Sequence, residues 1–339
     1  MTTSNRSLCP LGVLQTNGAS LDSSPPTTIS ETTHQSDLLI VSDEVQNQWK
    51  STRSQIAKSP HDYISALPSK CIREKFIDAL NTWFDCPQGS VIVIKRVISM
   101  LHNSSLILDD FQDNSTLRRG KPTTHTVFGP AQSINSAAYI IVKAVSEIQS
   151  FFGSASAVKA TDMILTLFEG QAMDLDWTYN DRCPSVQDYM MMVDDTHARA
   201  DLGVEPNKAT RALVTVFGRY FQIRDDYMNL VDADYTSQKG FCEDLDEGKY
   251  SLILIHALQN DAGRFLLGSV LSTRRIQGRL TTEQKLLVLD QVRACGSLEW
   301  TSSLLNDLLQ QTVAEIRRLE KAFDKENYDL RALADMLQH

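Results

Sequence analysis

The chain has 339 residues, of which 42% are hydrophobic and 22% charged; this excludes a disulfide-stapled miniprotein and allows a large buried core. Its 42 acidic and 33 basic residues give a net charge of −9, which repels a phosphate backbone and argues against nucleic-acid binding. The six cysteines stand too far apart for a zinc motif or a disulfide framework, so we expect a reducing compartment.

The beginning of the chain differs in character from the rest. Residues 1–41 are rich in Ser and Thr and show no apolar period, so we predict a disordered tail there. Later, apolar positions recur with the 3.6-residue period of amphipathic helices, as at Leu305, Leu309 and Val313. Only 15 Gly and 10 Pro interrupt the chain, which favours long helices over many short strands. We therefore predict one all-α domain of about ten helices over residues 42–339.

The sequence predicts no membrane span, because no apolar run approaches the roughly 20 residues that cross a bilayer. Its beginning shows no charged region followed by an apolar one, which argues against a secretory signal. Its last residues do not match a peroxisomal signal of the Ser-Lys-Leu kind. We therefore expect the chain in the cytoplasm.

The most distinctive feature is a run of acidic residues directly after the apolar residues 106–108. On a helix, Asp109 and Asp113 lie four residues apart and share a face, with Asp110 beside them. Three neighbouring carboxylates repel one another unless a cation lies among them, and oxygen ligands suit Mg²⁺, which commonly binds carboxylates together with substrate phosphates. The following Arg118-Arg119 pair could clamp a polyanion against the metal. The alternative is an ordinary solvated acidic face.

A second acidic motif repeats this geometry, with Asp225 and Asn229 four residues apart and Asp226 adjacent. Because it is far from the first motif in the sequence, we expect the two motifs on different helices. Two such helices facing each other could hold several Mg²⁺ ions, and the ions would hold a diphosphate. Lys239 and Lys249 follow and could cover the outer diphosphate oxygens, although each lysine alone is typical of an ordinary surface residue.

Taken together, these motifs resemble those of the trans-isoprenyl diphosphate synthases, most nearly the fungal geranylgeranyl diphosphate synthases. The resemblance runs from about Tyr63 to the end of the chain. Further matching segments follow in the same order, at residues 68–73, 94–96, 101–102, 170–175 and 296–301. The resemblance implies the isoprenoid synthase fold, a single large all-α bundle around a central cavity, and a homodimer.

The resemblance also implies an activity and the residues for it. The activity is a Mg²⁺-dependent condensation of isopentenyl diphosphate with dimethylallyl, geranyl and farnesyl diphosphates, which makes geranylgeranyl diphosphate for diterpenoid or other isoprenoid biosynthesis. The implied metal ligands are Asp109, Asp113 and Asp225, supported by Asp110 and Asp226. The implied ligands of the allylic diphosphate are Arg118, Gln222, Asn229, Lys239 and Lys249. The implied ligands of isopentenyl diphosphate are Lys70, Arg73, His102 and Arg119. The implied catalytic set is Asp109, Asp113, Asp225 and Gln222.

One segment departs from the family pattern. Family members have a Lys-Thr pair followed by a Gly-containing apolar helix, whereas residues 193–201 of this chain lack that Lys and those glycines. The interval from this segment to Asp225 is also short. Because the family's Lys contacts the allylic diphosphate, the departure favours one alternative, a non-catalytic or impaired partner subunit of a prenyl synthase.

A class I terpene cyclase is another alternative, because it shares the all-α fold and an Asp-rich metal motif. The second motif of such cyclases has the pattern Asn, Ser or Thr, and Glu, whereas residues 225–229 followed by Lys239 are of the elongating type. The basic residues Lys70 and Arg73 would also have no substrate in a cyclase. These residues favour elongation.

The residues just before the first motif bear on product length. Ser104 and Ser105 lie about one helical turn before Asp109, where farnesyl-forming relatives tend to have aromatic rings. Two small serines leave space for a longer prenyl tail, so we expect geranylgeranyl diphosphate, with a pocket floor near Tyr139. The alternative is that both serines are small only because the helix packs closely there.

Overall fold

The computed structural model describes residues 41–197, 208–231 and 241–337. The chain divides into two units, residues 1–51 and residues 52–339. In the first unit the described part is the exposed beginning of a helix, where the Ser42 hydroxyl accepts a hydrogen bond from the Val45 amide. The predicted tail lies outside the described residues except for its last position, and its disorder stays a prediction.

The described residues are almost entirely helical, which confirms the predicted all-α class. The helices are α1 (Asp43–Ser65), α2 (Ile72–Phe84), α3 (Gln88–Gln112), α4 (Thr124–Phe128), α5 (Pro130–Phe152), α6 (Ser154–Tyr179), α7 (Val186–His197), α8 (Lys208–Val231), α9 (Glu243–Glu247), α10 (Leu252–Gln259), α11 (Asp261–Gln277), α12 (Thr282–Ala294), α13 (Ser297–Phe323) and α14 (Tyr328–Met336). The described residues thus contain more helices than the ten predicted, partly because α4 and α9 have five residues each and are too short to show a period.

Helices α3 and α5 pack against each other along their lengths. Val97 and Met100 of α3 belong to the same buried cluster as Ile140 and Ala144 of α5. Ala144 is fully buried, and its small side chain lets the two helices approach closely. This packing fixes α3, the helix on which the first acidic motif lies.

The largest core cluster surrounds α10. Residues 252–255 are at most 1% exposed, so this helix is buried on all sides, as expected for an element that is apolar all round. Helices α7, α8 and α13 pack against it. Tyr220 and Ile223 of α8 belong to the same cluster, which orients the helix that contains the second acidic motif.

A two-stranded ribbon, absent from the sequence prediction, follows α3. Strand β1 (Leu117–Arg118) pairs antiparallel with β2 (Lys121–Pro122). The two residues between them, Arg119 and Gly120, have φ angles of 55° and 73°, as in a type I′ hairpin turn. The ribbon turns the chain back beside α3, and so brings Arg118 to the acidic motif.

One described helix, α3, is long and apolar enough to cross a membrane when only its length and composition are considered. It packs between other helices of the bundle and ends in three carboxylates. A core helix of this kind passes the same test, so the finding is weak support for a span.

A second group of polar residues joins the end of α13 to α14 and α2; we call Glu320, Asn327 and Arg331 the Glu320 cluster. The Asn327 backbone N–H and the Arg331 guanidinium donate to the two Glu320 carboxylate oxygens, at 2.8 and 2.5 Å. The Asn327 side chain donates to the Ala79 carbonyl of α2 at 2.7 Å and accepts from the Leu330 N–H at 3.1 Å. Burial disfavours the charged carboxylate, but these donors outweigh it and lower the pKa of Glu320.

Candidate active site

The first acidic motif lies at the C-terminal end of α3. Asp109 and Asp110 occupy the last turn, and Asp113 is the capping residue, with its N–H donating to the Asp109 carbonyl at 2.9 Å. Because Asp113 keeps a right-handed helical backbone, Asp109 and Asp113 share a face as the spacing predicted. Asp110 points the other way and is completely buried.

Arg118 pairs with the buried Asp110. Its Nε donates to Asp110 Oδ1 at 2.8 Å, its Nη2 donates to the same oxygen, and its Nη2 lies 3.5 Å from Asp109 Oδ2. Burial disfavours the charged guanidinium, but the Asp110 carboxylate outweighs it and raises the pKa of Arg118. Arg118 therefore stays charged and neutralises Asp110, and only its outer nitrogen reaches the open face of the motif.

Lys249 reaches the same motif from the segment after α9. Its Nζ lies 2.7 Å from Asp113 Oδ2, 3.3 Å from Glu247 Oε2 and 3.8 Å from Asp109 Oδ1. Burial disfavours the ammonium ion, but Asp109, Asp113 and Glu247 outweigh it and raise the pKa of Lys249. The Ser115 hydroxyl donates to Glu247 Oε1 at 2.5 Å, which fastens this segment to the turn that follows α3.

The second acidic motif lies on α8. Asp226 is buried, and the Tyr189 hydroxyl of α7 donates to its Oδ2 at 2.7 Å, while Gln222 Nε2 donates to its Oδ1 at 2.8 Å. Burial and the neighbouring Asp244 carboxylate raise the pKa of Asp226 to about 8. Two protein donors thus already satisfy Asp226, and Gln222 holds this carboxylate in place.

Asp225 and Asn229 are the other two members of this motif. Burial lowers the pKa of Arg73, and the charge of Asp225 opposes part of this shift. Asp225 therefore lies near α2. Asn229 is buried, and among the described residues neither its Oδ1 nor its Nδ2 has a hydrogen-bond partner. A buried amide without a partner is costly, so Asn229 is ready to bind a ligand.

The Lys249 ammonium interacts electrostatically with both acidic motifs. Lys249 contacts Asp113 of the first motif, and its charge also lowers the pKa of Asp226 in the second against the dominant effect of burial. The charge of Lys249 also acts on Asp174 of α6. Burial raises the pKa of Asp174, and Lys249 opposes this rise. The structure therefore brings together the two motifs that the sequence predicted would face each other.

The predicted isopentenyl ligands lie around the beginning of α2. Arg73 Nη1 lies 3.0 Å from His102 Nε2 of α3, and the Arg73 guanidinium lies over the Phe221 ring. Arg119 Nη1 donates to the Leu67 carbonyl at 3.5 Å. Lys70 is exposed in the turn before α2. These basic residues lie apart from Lys249 and its carboxylate partners. They adjoin α8, because the charge of Asp225 on that helix acts on Arg73.

Some residues of the site were missed or could not be placed. Lys239 lies outside the described residues, so its predicted role stays a prediction. Sequence reasoning gave no role to Gln171, Asp174, Tyr189 or Glu247, although Gln171 Nε2 donates to Asp109 Oδ1 at 3.3 Å. Gln171 and Asp174 lie in the segment 170–175 that the resemblance had already picked out, and Glu247 lies two residues before Lys249. Tyr189 gave no signal, because its partner Asp226 is distant in the sequence.

The donor set of the site fits Mg²⁺. In the described parts of the chain no three acidic, His or Cys side chains converge into a ready-made metal cluster; Arg118 and Lys249 lie among the carboxylates instead. The donors available are carboxylate and amide oxygens, which Mg²⁺ prefers, and this ion commonly completes its shell with water and substrate phosphate. The unpartnered Asn229 oxygen and the raised pKa of Asp226 are both features that a nearby cation would relieve.

The segment that departs from the family pattern, residues 193–201, begins near the end of α7. Helix α7 continues to His197, and residues 198–207 lie outside the described residues. Asp194 of α7 accepts two hydrogen bonds from Arg219 of α8, at 2.7 and 2.6 Å. This ion pair joins α7 to α8. Gly170 lets α7 approach α6 closely, because a Cβ at this position would lie 2.7 Å from Thr196 Cγ2.

Comparisons with known proteins give a matching family and several similar proteins. The sequence profile of the family described as polyprenyl synthetase matches residues 54–278. The chain is 53% identical over 312 residues to geranylgeranyl pyrophosphate synthase 2 of Gibberella fujikuroi, covering 88% of this chain and 79% of that protein. It is 45% identical over 283 residues to geranylgeranyl pyrophosphate synthase 3 of Zymoseptoria tritici, covering 80% and 78%. It is 47% identical over 298 residues to fusicoccadiene synthase of Phomopsis amygdali, covering 84% of this chain but 41% of that protein.

Proposed function

The chain belongs to the polyprenyl synthetase family, and from this premise we propose that it condenses isopentenyl diphosphate with allylic diphosphates to make geranylgeranyl diphosphate. The family is one of prenyltransferases with the all-α isoprenoid synthase fold, and the fold of this chain agrees with it. The named relatives support this product, since two of them are geranylgeranyl pyrophosphate synthases. The product would serve terpenoid or other isoprenoid biosynthesis.

The observation that supports the proposal most strongly is the contact of the Lys249 ammonium with Asp109 and Asp113 of the first acidic motif. The ammonium contacts Asp113 and acts electrostatically on Asp226, so both motifs line one strongly charged site. Such a site matches a diphosphate that is held through divalent cations. Asp109, Asp113 and Asp225 are the residues that we propose as metal ligands, and Asn229 offers an amide oxygen beside them.

Bound Mg²⁺ would supply positive charge to the departing diphosphate. Lys249 would add its own charge to the same oxygens, and the outer nitrogen of Arg118 is placed to do likewise. Asp110 and Asp226 would not touch the substrate; they hold Arg118 and Gln222 in place through the hydrogen bonds described above. The allylic C–O bond breaks, the carbocation alkylates the isopentenyl double bond, and a proton leaves the new carbon chain for the diphosphate.

The isopentenyl diphosphate would lie against α2, next to the allylic site. Arg73 and Arg119 point charged groups into the same region, and His102 Nε2 accepts a hydrogen bond from Arg73. An arginine can only donate, so in this contact His102 Nε2 is the acceptor. His102 would therefore orient Arg73, and Lys70 would approach the same diphosphate from solvent.

The two serines before Asp109 have different surroundings. Ser104 is completely buried and its hydroxyl has no hydrogen-bond partner in the described residues, whereas Ser105 is half-buried and donates to the His102 carbonyl at 2.8 Å. Ser105, four residues before Asp109, is on the same helix face. We therefore assign the tail pocket to Ser105 and attribute the small size of Ser104 to close packing. Tyr139 of α5 packs against the buried cluster that α3 and α5 share and remains our candidate floor.

We also propose a homodimer through α5 and α6. Val142 of α5 is 69% exposed and Leu165 of α6 is 55% exposed. Gly153 joins the two helices, and in the sequence the two residues are separated from it by nearly equal numbers of residues. If α5 and α6 run antiparallel, the two side chains therefore lie side by side. Exposed apolar side chains on neighbouring helices are typical of an interface between copies. Sedimentation of the wild type and of a Leu165→Glu variant would test this.

One assay tests the proposed function against its alternatives. The purified chain is incubated with Mg²⁺, isopentenyl diphosphate and farnesyl diphosphate, and the products are identified before and after removal of the diphosphate. A linear product that is one isoprene unit longer supports elongation. A cyclic hydrocarbon would indicate a cyclase, and no product from the chain alone would indicate a partner subunit that does not catalyse the reaction.

A further inference from the structure

The short helix α9 depends on contacts with other parts of the chain. It has five residues, too few to be stable without tertiary contacts, yet the segment that it begins brings Glu247 and Lys249 to the first acidic motif. Its backbone and side chains are held from α11 and α12. Lys285 Nζ lies 2.6 Å from Asp246 Oδ2, and the Leu280 N–H donates to Asp246 Oδ1 at 2.9 Å.

Arg274 of α11 forms the contact at the end of this short helix. Its Nε donates to the Asp246 carbonyl at 2.7 Å, and its Nη2 donates to the Glu247 carbonyl. These are carbonyls of the last helical turn, which have no partner within the helix and attract a cation through the helix dipole. A guanidinium with two donors fits the pair, as the single ammonium of a lysine does not.

Gly248 completes the same contact. It caps α9 with a φ of 77°, and a Cβ there would lie 2.3 Å from Arg274 Nη1. The guanidinium therefore lies directly against the Gly248 α-carbon. The turn from Glu247 to Lys249 and the arginine are matched in shape as well as in charge.

We propose that Arg274 is a positioning residue for Lys249. It fixes the turn at residues 247–249, so that the Lys249 ammonium lies 2.7 Å from Asp113 and Glu247 meets Ser115. Arg274 acts only through this turn and does not touch the substrate. Its role in turnover rests on the proposed function, whereas its role in placing Lys249 does not.

The test compares Arg274→Gln with Arg275→Gln. Arg275 is the adjacent arginine, is exposed, and pairs with Asp181 at 3.2 Å, so it is a matched control outside the turn. For Arg274→Gln we expect the apparent KM for farnesyl diphosphate to rise about tenfold, as when one charge-assisted contact is lost. The KM for isopentenyl diphosphate should stay within about twofold. Equal changes in both constants, or none in either, would overturn the proposal.

Binding of inorganic pyrophosphate in the presence of Mg²⁺, measured by calorimetry, gives a readout without turnover. Arg274→Gln should weaken this binding about tenfold, and Arg275→Gln should leave it unchanged; equal binding by the two variants contradicts the proposal. If the wild type binds pyrophosphate but forms no product, the proposed function fails while this comparison still decides the role of Arg274.

Should Arg274→Gln fold poorly, Gly248→Ala alone still tests the contact: it keeps the arginine but should weaken pyrophosphate binding, and an unchanged affinity would overturn the proposal. Where both single variants fold, the two changes are also combined. Gly248→Ala introduces a methyl group against the guanidinium, so its effect on pyrophosphate binding should be smaller when Arg274 is already replaced. We expect the double variant Gly248→Ala, Arg274→Gln to lose clearly less affinity than the product of the two single losses. Fully independent losses would show that the two residues do not form one unit and would overturn the proposal.

Discussion

Two groups of carboxylates in this chain have opposite electrostatic properties. In the Glu320 cluster, donors surround the carboxylate and lower its pKa. In the second acidic motif, burial and neighbouring carboxylates raise the pKa of Asp226 to about 8, and the same two effects raise the pKa of Asp174 on α6. Both groups are largely buried, so burial alone does not separate them. Each oxygen of the Glu320 carboxylate accepts a hydrogen bond, whereas the described residues of the site include more acids than cations.

This difference separates stability from function. A carboxylate that the protein itself satisfies contributes to folding, whereas carboxylates that repel one another cost stability and are kept for a ligand. The Glu320 cluster joins α2 and α14 to the end of α13. The acidic motifs require a cation that the protein supplies only in part, through Arg118 and Lys249. The following predictions test this separation, beginning with the largest effect.

Replacing Asp109 or Asp225 by Ala should reduce turnover by at least about a thousandfold, because each change removes a metal ligand whose charge acts in the transition state. The helical content should stay that of the wild type, because buried apolar side chains such as Val97 of α3 and Ile223 of α8 hold these two helices in the core. Steady-state kinetics and circular dichroism are the measurements. Asp162, an exposed acid on α6, is the control for Asp-to-Ala replacement. Turnover within a few-fold of the wild type would refute the assignment.

Asn327→Ala should destabilise the fold by about 2 kcal/mol, since it removes a helix cap and leaves the buried Ala79 carbonyl without its donor. Chemical denaturation measures this change. The parallel variant Asn180→Ala, at an exposed helix end, should change stability much less. Because the Glu320 cluster is separate from the site, the KM values should hardly change; a large change in them would show that the two groups are coupled.

Ser105→Phe should shift the product towards farnesyl diphosphate, because an aromatic ring there would occupy the space for the last isoprene unit. Ser104→Phe should instead lower the melting temperature, since it overpacks a completely buried position at a cost of about 1–3 kcal/mol. Product analysis from dimethylallyl diphosphate, together with thermal unfolding, distinguishes the two. If Ser105→Phe is active and still makes only the longer product, this serine does not line the tail pocket.

Glu320→Gln should give a pH-dependent loss of stability. The pKa of Glu320 is lower in the folded chain than its usual 4.5, so its contribution is complete above that pH and is lost as the pH falls through the folded value. The difference in melting temperature between wild type and variant should therefore be constant near neutral pH and shrink below about pH 4.5. A difference that grows on acidification would contradict the assigned contacts.

The sequence was a good guide to local geometry. Asp109 and Asp113 share a face because helix spacing alone decides it, and the same holds for Gln222 and Asp226, which the structure joins at 2.8 Å. Helix α13 was predictable from its apolar period at Leu305, Leu309 and Val313. These features depend on residues close together in the chain, and so a pattern of a few residues is sufficient to find them.

Contacts between distant residues could not be predicted. The pairing of Arg118 with Asp110 depends on a type I′ turn at Arg119-Gly120, and nothing in the pattern showed that the turn folds back on α3. The bonds of Tyr189 to Asp226 and of Arg274 to α9 join elements far apart in sequence. Such contacts follow from the packing of whole helices, which determines where long side chains end.

The most direct test of the account is the response of stability to Mg²⁺ with pyrophosphate. Because a ligand that binds only the folded state stabilises it, the melting temperature of the wild type should rise clearly when both are added at neutral pH, and rise much less in Asp109→Asn and Asp225→Asn. Glu320→Gln should be stabilised by the same amount as the wild type. No rise in the wild type, or an equal rise in all variants, would contradict the claim that these acidic motifs together hold a metal-bound diphosphate.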